Sequence, residues 1–123
     1  MANPFYISTA ISYTNGHPHI GHAYEVIAAD AIARFKRLDG YKVMFLTGTD
    51  EHGLKMQREA EKNSKEIKLF CDELSTKFKD LTKILNLSNN DFIRTTEKRH
   101  YKSVLDISST YFLGSIPSSF AFF

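Results

Sequence analysis

Three observations in this 123-residue sequence predict an α/β fold built on parallel strands. An aromatic and β-branched run, Phe5 to Ile11 ("FYISTAI"), ends in the turn formers Ser12, Thr14, Asn15 and Gly16. A helical repeat then occupies Gly21 to Leu38, and a second apolar run, Val43 to Leu46, lies one helix later. Strand, helix, strand at this spacing is the pattern of a right-handed crossover, in which the two strands are parallel neighbours.

Each element has its own warrant. The first helix is read from Ala23, Ile27, Ala31, Phe35 and Leu38, which recur at helical spacing, with Arg34, Lys36 and Arg37 in its last turns and Asp39-Gly40 as its stop. The second strand closes at Thr47-Gly48. A second long helix is predicted from Ile67, Phe70, Cys71, Leu74, Phe78, Leu81 and Leu85, which form one apolar stripe among lysines and acids. Cys71 on that stripe reads as a small buried hydrophobe and not as a reactive thiol. "NLSNNDFIRTT" supplies a loop and a short extended piece at Phe92 to Arg94, and "EKRHYKSVLDI" reads as the opening of another helix. After Asp106 no charged residue follows, and "ISSTYFLGSIPSSFAFF" holds neither helical nor alternating periodicity. The expected division is therefore residues 1–107 as one domain and 108–123 as a charge-free tail foreign to it.

Composition sets bounds on function. At 42% hydrophobic residues the chain can bury one modest core. A net charge of +2, mixed in sign along the sequence, makes no electrostatic claim on nucleic acid. The single cysteine excludes a disulfide framework within the chain, and "MANPFYIST" lacks the charged start and apolar run of a secretory signal, so a cytoplasmic protein is expected. No uninterrupted apolar stretch is long enough to span a membrane, and none is expected as a partner.

The chemistry concentrates in "NGHPHIGH", where His17, His19 and His22 fall within six positions. This block lies where the first strand hands over to the first helix, the place in a parallel crossover where free N–H groups and the helix dipole favour an anion. Gly21 lets a ligand approach the backbone, and two imidazole donors beside a helix N-terminus suit a phosphate gaining charge in a transition state. The same inventory, with Asp50, Glu51 and His52, is also that of a zinc-dependent hydrolase. A non-catalytic interaction module or decayed fragment is a third reading. Taken singly, Tyr13 is also consistent with a core aromatic and Asp50 with a helix cap.

The block "HIGH" (His19, Ile20, Gly21, His22) after a first parallel strand is the signature of class I aminoacyl-tRNA synthetases. "AISYTNGHPHIGHAY", a helix, "FLTGTDEHG" and "FIRTT" together closely resemble the first half of the catalytic domain of the methionyl-tRNA synthetase family, over about Pro4 to Ile107. The resemblance implies the first half of a Rossmann-like nucleotide-binding fold, truncated, and ligase activity that joins methionine to tRNA through methionyl-adenylate. It implies His19 and His22 as catalytic residues that bind ATP with Gly21, and Mg2+ accompanying the ATP. It implies a methionine pocket at Ala10, Ile11 and Tyr13, with Asp50 receiving the substrate ammonium and no protein-held metal.

Ser12 stands where family members often have proline between pocket residues. The family's inserted domain, its second nucleotide-fold half with a "KMSKS" loop, and the helical domain that would bring tRNA(Met) have no counterpart in these 123 residues. The chain alone is therefore expected to be inactive.

Overall fold

The computed structural model describes residues 2–112. Its elements are β1 (Pro4–Ser8), β2 (Ser12–Tyr13), α1 (Ile20–Leu38), β3 (Lys42–Asp50), α2 (Leu54–Lys62), α3 (Ile67–Ile84), β4 (Asp91–Arg94) and α4 (Lys98–Phe112). The expected parallel neighbours are present: β1 pairs with β3 from Pro4↔Lys42 to Ser8↔Leu46. On the other edge of β3, β4 pairs in parallel from Leu46↔Asp91 to Thr49↔Arg94. Both crossovers step in the same direction across the sheet, which places α1 and α3 on one face under the right-handed rule. The edge-to-face contact of His22 in α1 with Phe78 in α3, ring centroids 5.0 Å apart, agrees.

The first strand is not continuous from Phe5 to Ile11. Between Ser8↔Leu46 and Ser12↔Thr49 the outer chain takes four steps where β3 takes three, so one extra residue bulges out. The N–H of Ala10, freed from the ladder, donates to Oε1 of Glu25 in α1 at 2.8 Å. After the bulge, β2 resumes parallel pairing with β3 at Thr49 and Asp50.

Helix α1 keeps its expected limits and its expected stop. Asp39 is the C-cap, and Gly40 at φ 82° takes the left-handed position that side chains resist. Its buried face, however, is not the predicted stripe. Ala23, Val26, Ala29, Asp30 and Ala33 are buried, and Ala29 and Ala33 pack with Val43, Phe45, Phe5 and Ile7 from the sheet. Ile27, Phe35 and Leu38 face outward together with Ile20 and Tyr24. The helix is apolar on two sides, and the sheet takes the side with small residues because they allow close approach.

Asp30 on that face is a built anchor. Its carboxylate accepts from Ser88 N at 2.7 Å, from the Ser88 hydroxyl and from Arg34 Nε at 2.7 Å. Arg37 donates to Ser88 O, and Asn90 Oδ1 accepts from both Arg37 and Phe45 N, so the segment entering β4 is fastened to α1 and β3 together.

Helix α2 is an element the periodicity reading did not include. It is dominated by charged residues, but Met56 and Ala60, four apart, are fully buried against Phe70, Cys71 and Leu74 of α3. The α3 stripe is as expected at Phe70, Cys71, Leu74 and Phe78. Helix α4 runs on through 108–112, past the point where helical periodicity was read to stop, and residues 101–111 are all exposed. The rest of the charge-free stretch lies outside the described residues. Among the described residues no helix is long and apolar enough to cross a membrane.

Gly48 marks the tightest approach in the sheet. A Cβ placed there would lie 2.0 Å from the carbonyl oxygen of Ile93 in β4. Gly48→Ala is therefore expected to destabilise the fold by about 3 kcal/mol through forced separation of β3 and β4, read as a lower urea midpoint at unchanged m-value.

Candidate functional site

Parallel pairing puts the C-terminal ends of β2, β3 and β4 at one edge of the sheet, with the N-terminus of α1 beside them. Ala10, Ile11, Tyr13, His19, Gly21, His22 and Asp50 lie at that edge. Ala10 and Ile11 form the bulge, Tyr13 pairs with Asp50 across β2 and β3, and His19 is the N-cap of α1 with Gly21 and His22 in its first turn. Tyr13 is half exposed, so it is not a core aromatic. Asp50 does not cap α2, whose N-cap is Gly53.

The two histidines close a reciprocal capping box. His19 Nδ1 accepts the N–H of Gly21 at 3.1 Å, and His22 Nδ1 accepts the N–H of His19 at 3.2 Å. A neutral imidazole that accepts at Nδ1 carries its proton at Nε2. Both rings are thereby held in the tautomer with an Nε2–H donor to spare, with centroids 3.9 Å apart. Gly21 is needed for this arrangement, since a Cβ there would stand 2.9 Å from His19 Cε1. Burial lowers the pKa of His22 below the ordinary histidine value, the neighbouring His19 lowers it further, and Glu25 opposes both. At neutral pH His22 is thus an uncharged donor at a helix N-terminus.

His17 leaves this group. Its Nε2 meets Lys77 Nζ of α3 at 3.2 Å, at a recess of about 260 Å³ that also includes Asn15 and Lys65. Among the described residues no group of three or more His, Cys, Asp or Glu side chains is placed to hold a metal ion. The three-histidine zinc cluster is therefore not assembled.

Tyr13 lines a recess of about 230 Å³ with His52, Gly53, Leu54 and Lys55. A larger one of about 620 Å³ opens on the far side of His52, lined by Glu51, Arg94, Tyr101 and residues of α3. His19, His22 and Asp50 line none of these three recesses.

Outside the zinc reading the sequence assigns Glu51 no role, yet it is the centre of a dense polar cluster. Its side chain is fully buried and accepts from Arg94 Nε at 2.6 Å, Arg94 Nη2 at 2.9 Å, Thr49 Oγ1 at 2.8 Å and the Thr96 hydroxyl. Arg94 also reaches Asp72 of α3. Burial opposes ionisation of Glu51, but these hydrogen bonds and the guanidinium charge outweigh it and hold the carboxyl below the usual range. Burial and the Glu51 charge push the Cys71 thiol up, as expected of an inert cysteine. The sequence signal for the cluster was the pairing of "DEH" with "RTT", residue types whose contact only the β3–β4 register reveals.

Two measurements follow. Glu51 is held below its ordinary pKa, and so is Asp30, where burial is likewise outweighed by Ser88 and Arg34. The native state therefore binds these protons less readily than the unfolded chain. The stability they contribute is complete above about pH 5 and is lost as pH falls below about 4 through the native values, which urea unfolding across pH will show. In an NMR titration His22 is expected to protonate at lower pH than a histidine in a short peptide, and His22→Gln removes that resonance while identifying it.

Comparison with known proteins agrees with this geometry. The family model of tRNA synthetases class I (M) matches residues 5–114, past Ile107. The methionine–tRNA ligase of Rhizobium meliloti is 59% identical over 101 residues, which is 82% of this chain and 20% of that protein. That of Thermotoga maritima is 56% identical over 100 residues, 81% of this chain and 16% of the relative. Among solved structures, Mycobacterium tuberculosis methionyl-tRNA synthetase in complex with methionyl-adenylate superposes with a TM-score of 0.80 at 51% identity, over 81% of this chain and 20% of that one. This chain spans between 16% and 20% of the length of these relatives. With the HIGH block capping α1, the parallel sheet beneath it and a family match across most of its length, the chain belongs to the class I tRNA synthetases (M).

Proposed function

We propose that this chain forms the first part of a methionine–tRNA ligase site, in which residues 1–107 supply half of the nucleotide-binding fold and the donors on one side of the reacting phosphates. The observation that carries the reading is the His19–His22 capping box, which leaves two Nε2–H donors at the N-terminus of α1. The methionyl-adenylate bound by the M. tuberculosis relative is the product of the reaction such donors would assist.

In that reaction a carboxylate oxygen of methionine attacks the α-phosphorus of ATP. The bond from that phosphorus to the pyrophosphate oxygen breaks, and methionyl-adenylate and pyrophosphate form. Negative charge builds on the phosphate oxygens during the step, where His19 and His22 would donate, with Gly21 keeping the first turn low beneath the rings. The residues facing the phosphates are N–H donors, which suit phosphate oxygens and not a cation. Mg2+ accordingly belongs with the ATP as part of the substrate.

The methionine would lie along the bulge at Ala10 and Ile11 and against Tyr13, its ammonium on the Asp50 carboxylate beside it. Transfer of the methionyl group to the terminal adenosine of tRNA(Met) needs parts of the relatives' length that this chain does not span.

The test is methionine-dependent exchange of labelled pyrophosphate into ATP. The purified chain is expected to show none alone, and to show exchange when a polypeptide carrying the remaining length of a relative is added. In that mixture His22→Ala should slow exchange about a hundredfold, the scale of one lost transition-state donor. No exchange in the mixture, or an unchanged rate with His22→Ala, would overturn the reading.

A further inference from the structure

The "RTT" run of β4 and the turn after it has no part in the reaction as drawn above, yet it touches every residue of "DEH" at the end of β3. Asp50 Oδ1 accepts the N–H of His52 at 3.2 Å and the Thr95 hydroxyl at 3.5 Å, while Oδ2 has no hydrogen-bond partner among the described residues. Thr95 is buried at 5% exposure, and its Oγ1 accepts the N–H of Glu51 at 2.9 Å. Because Oγ1 is the acceptor in that bond, its single hydroxyl hydrogen is left for Asp50. Glu51 is in turn immobile, because its carboxylate takes four donors, two of them from the planar fork of Arg94. His52 is held from the same strand exit, with Nε2 3.2 Å from the carbonyl oxygen of Thr95.

From this arrangement we propose that Arg94 and Thr95 are positioning residues for Asp50: they clamp the β3 exit so that one carboxylate oxygen is occupied and the other is presented, fixed in direction, to a cationic group of the substrate. The inference rests on the reading of Asp50 as the ammonium acceptor. A half-buried aspartate at a strand end otherwise samples several rotamers, and each substrate encounter would have to stop that motion. Here the restraint is built before the ligand arrives, at a cost carried by the Glu51–Arg94 pair and not by the binding step. Arg94 acts through Glu51 and Thr95, and neither Arg94 nor Thr95 is assigned a contact with substrate.

The experiment reads the Asp50 side chain directly in the 123-residue chain, by three-bond couplings across its χ1 angle together with hydrogen exchange at the His52 amide. The wild type should show one Asp50 rotamer. In Thr95→Val, which keeps the shape and removes the hydroxyl, the couplings should average, and the His52 amide should exchange about tenfold faster as its acceptor is released. Thr95→Ser should restore both, while amide shifts in β1 stay in place throughout, which a general loosening of the fold would not allow. If Thr95→Val does not fold, Arg94→Lys, which removes the fork, decides through the same averaging. An averaged Asp50 in the wild type, or unchanged couplings in the folded variant, overturns the proposal. Neither readout uses methionine or ATP, so a failed exchange assay would remove the ligase reading and leave the clamp, and unchanged couplings would do the reverse.

Discussion

Among the described residues every other strand pairs with β3, and every pairing is parallel. Parallel neighbours cannot be joined by tight turns, so between β2 and β3, and again between β3 and β4, the chain must leave the sheet and return through helices. That constraint carries the strand ends and the first turn of α1 to one edge. It also explains why β3 tolerates no side chain at Gly48, where the carbonyl of Ile93 comes within the space a Cβ would fill. A strand with partners on both sides leaves its residues little room, and only its last residue, Asp50, reaches the edge beside the start of α1.

Two different devices prepare polar groups at that edge. At α1, backbone N–H groups that the helix cannot satisfy are taken by imidazole Nδ1 atoms, and the same hydrogen bonds choose the tautomer of each ring. At β3, a buried carboxylate with a guanidinium and two hydroxyls holds the strand exit still. A buried ion pair of this kind is weak evidence for stability, since desolvation consumes much of the attraction. Its value here lies in geometry: removing any member leaves a donor or acceptor stranded, so the arrangement has few alternatives.

The order and type of the main elements were legible because strong local signals bounded them. Asp39-Gly40 ends α1 as expected, and the α3 stripe is buried at its centre, Phe70, Cys71, Leu74 and Phe78, while Ile67 at its start is exposed. Helix α2 was hard to read because only Met56 and Ala60 carry its apolar side. The bulge at Ala10 was invisible because it arises from a mismatch in step between two strands, with Glu25 of a third element taking the freed N–H. The outward stripe of α1 misled for a related reason: Ile27, Phe35 and Leu38 have the same period as the buried Ala23, Val26 and Ala33, and period alone does not say which side meets the sheet.

What the sequence determined by itself was therefore local: the parallel crossover, the glycine stop of α1, and a histidine block at a helix start whose ordered neighbours identify the family. Those features depend on residues close together in the chain. The tertiary structure alone decided that His17 leaves the histidine block for Lys77 of α3, sixty positions away. It also decided that Glu51 belongs to Arg94 and Thr95, more than forty positions away. The physical reason is that strand register, and not spacing along the chain, brings those groups within hydrogen-bonding distance.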